Sequence, residues 1–159
     1  MRRGDVTSRQ SSTPVPYSAG QMFALVADIE RYPEFLPWCV ALRIAERRQE
    51  SHLEFITADM AVAYRVFRER FRSLVRLDHA SKSIDVEYVD GPFRSLANKW
   101  AFKDEKNGGS IVDFSIEFEF RSLLLQATAQ SVFEKAFVKM SDAFVERADI
   151  VYGNSSNPA

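Results

Sequence analysis

The chain holds one cysteine, Cys39, and two histidines, His52 and His79, in 159 residues. A single thiol excludes an internal disulfide and fits a reducing compartment. Neither histidine has a partner at readable spacing, and no zinc spacing or Ser/His/Asp order is present. There are six glycines, and the adjacent pair in Asn107-Gly-Gly109 reads as a hairpin turn, not a phosphate loop. No apolar run approaches the roughly 18 residues that a membrane span needs. The opening, MRRGDVTSRQ, carries charge without an apolar stretch and does not read as a secretory signal. A formal net charge of −1 provides no global pull toward nucleic acid or anionic membrane. Phenylalanine is what the chain has in plenty, with thirteen copies. The composition is rich in non-polar surface and poor in catalytic and metal-binding groups.

The length suits one domain with a real core, expected over residues 1–152, with GNSSNPA at 153–159 as a disordered tail. At the other end, SRQSSTPVP is polar and contains proline. A first helix is announced by Ser18 and Gln21 as a capping box, with Tyr17 and Met22 at the positions of a hydrophobic staple. Pro33 ends or restarts this helix near Glu30. There follows YPEFLPWC, Tyr32 to Cys39, in which Pro33 and Pro37 exclude one regular element throughout. Such a greasy, stiff connection either plugs a core or borders an opening that receives something apolar. Cys39 reads as a small packed hydrophobe, not a nucleophile.

From Val40 to Arg121 the hydrophobic period is two. Val112, Phe114, Ile116, Phe118 and Phe120 alternate with Asp113, Ser115, Glu117 and Glu119. Leu96, Asn98, Trp100 and Phe102 share a side, as do Ile84, Val86 and Tyr88. Shorter runs cover Val40–Ile44 and Leu53–Thr57. Turn residues at 47–51, 78–83, 90–92 and 107–109 make the whole an antiparallel meander. The run Tyr64–Leu77 changes phase, which a β-bulge near Val66-Phe67 would reconcile. Its wet face then shows Arg68, Arg70, Arg72 and Arg76, and its dry face Phe67, Glu69, Phe71 and Ser73. Glu69 would meet a ligand oxygen as a protonated donor, pair with a buried arginine, or be rotated outward by the bulge.

After Ser122, an N-cap, the period becomes 3.6 through Leu125, Ala129, Phe133, Ala136, Met140, Ala143 and Phe144, with Gly153 as the stop. The pattern asks for an α+β fold, a curved antiparallel sheet closed by one long helix. Ala129, Ala136 and Ala143 either let helix and sheet approach closely or leave a cavity between them.

Three stretches resemble a known family. YPEFLPWC, DGPFRSLANKWAF and VDFSIEFEFRSLL are similar, in order, to motifs of the START-like (helix-grip) superfamily. Within it they match the coenzyme Q-binding, polyketide cyclase/dehydrase-like group, which includes the mitochondrial coenzyme Q chaperone and the bacterial RatA ribosome-association toxins. The resemblance runs from about Pro16 to Tyr152. It implies a helix-grip fold, with about six to seven strands wrapped around the C-terminal helix and short helices after the first strand. It also implies a tunnel between sheet and long helix, with Phe35, Leu36, Pro37 and Trp38 at its mouth. Ligand-binding residues are then expected at those four positions and at Glu69, Phe71, Trp100, Phe114, Phe118, Phe133, Phe137 and Met140.

The resemblance implies a non-catalytic binder of an isoprenoid lipid, ubiquinone (coenzyme Q) first, supporting respiratory electron transport. Ubiquinone would be a bound ligand, and no cofactor or metal is expected. The expected location is cytoplasmic or peripheral at the inner membrane, with transient contacts to membrane or respiratory complexes and none to DNA. A second reading is a RatA-like protein that binds the large ribosomal subunit through Arg68, Arg70, Arg72 and Arg76 and blocks subunit association. Cross-strand acids would neutralise part of that row. A third is an aromatase/cyclase-type enzyme, for which the pocket offers no readable acid–base pair.

Overall fold

A computed structural model describes residues 6–65 and 67–153 of the protein. Strand β1 (Thr7–Val15) leads into helix α1 (Ala19–Ala27), a 3₁₀ turn (Ile29–Arg31) and the single-turn helix α2 (Tyr32–Phe35). Six strands follow: β2 (Cys39–Glu50), β3 (Leu53–Tyr64), β4 (Phe67–Asp78), β5 (Ser83–Asp90), β6 (Phe93–Asp104) and β7 (Ser110–Phe120). Helix α3 (Leu123–Ala148) completes the fold and ends in a π-helical turn (Asp149–Gly153). The seven strands form one curved antiparallel sheet in the order β1-β7-β6-β5-β4-β3-β2. The α+β, helix-grip expectation therefore holds, including the short helices after the first strand. Apart from Gly153, the tail expected at 153–159 lies outside the described residues.

Local chemistry explains the helix boundaries. Ser18 Oγ accepts from Gln21 N at 3.1 Å, and Gln21 Oε1 accepts from Ser18 N at 2.9 Å, closing the capping box. Ser122 caps α3 in the same sense, its hydroxyl accepting from Leu125 N at 3.2 Å. With 26 residues, α3 is about 39 Å long. Pro33 sits in the first turn of α2, where a missing N–H costs nothing. Half of YPEFLPWC is thus helical, and only Leu36 to Trp38 forms the irregular connection.

Three departures from the sequence expectation have physical causes. The polar segment TSRQSSTPV is a strand because it pairs with β7 alone, Thr7 opposite Phe118 and Val15 opposite Ser110. An edge strand needs no two-sided apolar pattern and tolerates Pro14. The phase change at Tyr64 is a hairpin, not a bulge within one strand. Tyr64 pairs with Phe67 across a turn in which Arg65 takes φ 58°. Val66, on which the expected bulge fell, lies outside the described residues. Bulges instead interrupt β2 between Cys39 and Ala41 and between Ile44 and Glu46, bending that edge around the helix.

The interior has two parts. At the end of the sheet covered by α1, residues such as Met22, Val26, Ile56 and Leu77 form a filled core. At the opposite, hairpin end, Phe93, Phe118, Phe120 and Ala129 form a smaller cluster with Phe67, Phe71 and Phe133 packed against it.

Candidate ligand cavity

Alternation carries one face of six strands inward and 3.6-residue periodicity carries one stripe of α3 to meet it. The two surfaces do not close. A cavity of about 270 Å³ remains between them, near the lower end of ligand-site volumes. Met60, Val62, Phe71, Phe118, Phe133 and Met140 are among its walls, and Tyr32, Leu36 and Trp38 border it from α2 and the connection beyond. Ala129 and Ala136 face the hollow, whereas Ala143 belongs to the filled core.

Nine of the twelve expected ligand residues line this cavity: Leu36, Trp38, Phe71, Trp100, Phe114, Phe118, Phe133, Phe137 and Met140. Three do not. Pro37 is exposed. Phe35 turns onto α3, edge-on to Phe144 at 5.2 Å, with the Arg147 guanidinium 5.1 Å from its ring centre. Glu69 has the inward parity but stays half-exposed and outside the cavity wall. The β4–β5 ladder begins only at Arg72–Asp90, so Glu69 has a strand neighbour on one side only. The pairing with a buried arginine is not seen.

The lining is almost wholly apolar, and most of its polar atoms are already engaged. Asn98 Nδ2 donates to Ser115 O at 3.3 Å, and Asn98 Oδ1 accepts from Trp100 Nε1 at 2.9 Å. Tyr32 donates its hydroxyl to Val26 O, and burial raises its pKa far above the phenol range. Two donors remain. Trp38 Nε1 and Tyr64 Oη are buried, line the cavity and have no hydrogen-bond partner. Sequence reasoning missed Tyr64 because the hairpin beside it was read as continuous strand.

No arrangement for covalent chemistry converges on the cavity. Burial pushes the Cys39 thiol up to about 11, so it stays protonated at neutral pH. His79 does have a carboxylate partner, Glu54 Oε1 at 3.1 Å, and His52 lies 3.9 Å from Asp78, but none of these four residues lines the cavity. Among the described residues no three His, Cys, Asp or Glu side chains gather as a metal site. Among the described residues no helix is long and apolar enough to cross a membrane.

On the outer face of the sheet the arginine row divides. Arg72 forks onto Asp59, Nε at 2.7 Å and Nη2 at 2.9 Å, and Arg76 donates to Asp85 at 2.7 Å. Arg68 and Arg70 are exposed and have no acidic partner among the described residues.

The comparisons with known proteins agree with this architecture. The model of the family described as polyketide cyclase/dehydrase and lipid transport matches residues 15–145. The ribosome association toxin RatA of Pseudomonas aeruginosa is 34% identical over 92% of this chain and 99% of the relative. The mitochondrial coenzyme Q-binding protein COQ10 of Dictyostelium discoideum is 25% identical over 96% of this chain and 74% of the relative. Among solved structures, an 18 kDa protein from Caulobacter crescentus superposes with TM-score 0.79 at 34% identity, covering 92% of this chain and 99% of that one. A Streptomyces aromatase/cyclase shares the fold at TM-score 0.76 and 14% identity, over 91% of this chain and 94% of that one. The chain belongs to the polyketide cyclase/dehydrase and lipid transport family, with RatA toxins and COQ10 among its relatives.

Proposed function

We propose that the protein binds an elongated apolar ligand, an isoprenoid quinone such as ubiquinone, in the cavity between sheet and α3, without transforming it. The observation that carries this reading is the unfilled, aromatic-lined space bounded by Leu36, Trp38 and the Ala129–Ala136 stripe. A volume of about 270 Å³ admits part of an isoprenoid tail. Each buried methylene is worth about 0.8 kcal/mol, so partial burial suffices for retention. COQ10, a relative named for coenzyme Q binding, supports the choice of quinone. Delivery to respiratory components at a membrane surface follows from that choice. Organic extraction of purified protein followed by mass spectrometry tests it. Stoichiometric quinone from wild type, and its loss from Trp38→Ala, is expected; a wild type that stays empty after incubation with quinone would overturn the reading.

A second reading is favoured by Arg68 and Arg70, which no acid neutralises, together with the RatA relatives. Under it, the free half of the arginine row docks on the large ribosomal subunit through phosphate contacts. Charge reversal of Arg68 and Arg70 would then abolish co-sedimentation with that subunit and leave ligand content unchanged.

A further inference from the structure

From the hydrogen-bond inventory of the cavity, we infer that Trp38 Nε1 and Tyr64 Oη form a two-donor site for a carbonyl oxygen at the head of the ligand. This inference rests on the quinone-binding reading and specifies where the quinone head sits.

Three side-chain atoms among the described residues are buried without a partner: Trp38 Nε1, Tyr64 Oη and Ser110 Oγ. Two of the three line the cavity, and Ser110 does not. A buried N–H or O–H left unpaired is costly, so native chains seldom keep two of them in one pocket. The two are also neighbours in the fold. Ala63 N donates to Trp38 O at 2.9 Å, which sets Trp38 beside the strand end that carries Tyr64. Both therefore border the cavity beside the β3–β4 hairpin, where the chain passes from α2 into β2.

Their chemistry restricts the occupant. The indole N–H donates only. The phenol hydroxyl, on a ring whose centre lies 5.6 Å from Lys139 Nζ, can donate as well. A carbonyl oxygen has two lone pairs and accepts both. A hydrocarbon satisfies neither. Elsewhere in the pocket Asn98 and Tyr32 are engaged by protein partners and Ser73 offers a single hydroxyl, so the polar end is where these two donors stand together. The tail then occupies the remaining apolar lining.

The test compares decylubiquinone with decylbenzene, a probe of matched tail and no oxygen, by calorimetric titration of wild type, Trp38→Phe and Tyr64→Phe. Each substitution keeps an aromatic ring and removes one donor. Affinity for decylubiquinone is expected to fall about two- to tenfold in each variant, while decylbenzene affinity is unchanged. The Trp38 indole N–H resonance in nitrogen-labelled wild type is expected to shift downfield with decylubiquinone and not with decylbenzene. Unliganded melting temperatures of both variants are expected to equal or exceed wild type, because an unsatisfied donor is lost; this separates a binding role from a structural one. Equal affinity losses for the two probes, or no loss for either, would overturn the head site and leave the cavity reading standing. Failure of wild type to bind either probe would overturn both.

Discussion

The α1-covered end and the hairpin end of this sheet have the same strands, the same helix and similar side chains, yet the interior is solid beneath α1 and hollow from Val75 and Ile84 onward to the hairpin end. At the first, Val26, Ile56 and Ala148 are at most 1% exposed, and α1 adds a third layer against β6 and β7. At the second no such layer exists, and phenylalanines around Phe93 stand against each other at the edge of the space. Aromatic rings span distance without collapsing, since edge-to-face contacts hold centroids 5–6 Å apart. Hydrophobic content therefore does not decide whether a region is core or cavity. The number of covering layers and the stiffness of the lining decide it.

The sharpest way to break the comparison is to remove volume from the solid end. Ile56→Ala, at a position with no exposure, should cost roughly 2–5 kcal/mol in denaturant unfolding. A cost below 1 kcal/mol would mean that this end is also loosely filled. Next comes adding volume to two alanines of one helix. Ala148→Leu, where nothing is exposed, should destabilise by about 1–3 kcal/mol through overpacking. Ala136→Leu points into the hollow and should change stability by less than about 1 kcal/mol while displacing ligand. Equal penalties at both positions would show that the space is not available to side chains.

Two smaller effects concern the outer face. The paired hydrogen bonds from Arg72 hold the Asp59 carboxyl below its usual range. A depressed folded value means that the stabilisation is complete above the unfolded aspartate value of about 4 and is lost as pH falls through the folded one. Asp59→Asn should therefore flatten the acid limb of the stability–pH curve below about pH 4, and an unchanged limb would mean that the pair is solvent-screened. Arg68→Ala with Arg70→Ala, by contrast, should leave stability within about 0.5 kcal/mol of wild type, because neither side chain holds an acid. A larger loss would show that the row is structural throughout.

Much of this was legible in the sequence, for reasons that can be named. The alternation in β7 and the capping at Ser18 and Ser122 are local, and they fix the elements they belong to. The parity of Leu96, Asn98 and Trp100 correctly put that side of β6 toward the helix. Three things were not local. The strand character of Thr7–Val15 comes from β7, at the far end of the sequence. Glu69 obeys the parity of its strand, but parity does not report that β5 stops short of it. The unpaired state of Trp38 Nε1 and Tyr64 Oη is a property of everything around them, so no spacing rule reveals it.

The pairing of Thr7 with Phe118 also bears on the order in which the chain assembles. Strands β2 to β7 are joined to their successors by short turns, so each pairing closes a small loop and proceeds quickly. The β1–β7 ladder closes a loop over most of the chain and carries the largest entropic cost. Until β1 arrives, β7 presents an unpaired, phenylalanine-rich edge on which a second copy could template. The first strand thus ends as a cover over a vulnerable edge, and slowing its arrival would show first as aggregation during refolding, before any loss of final stability.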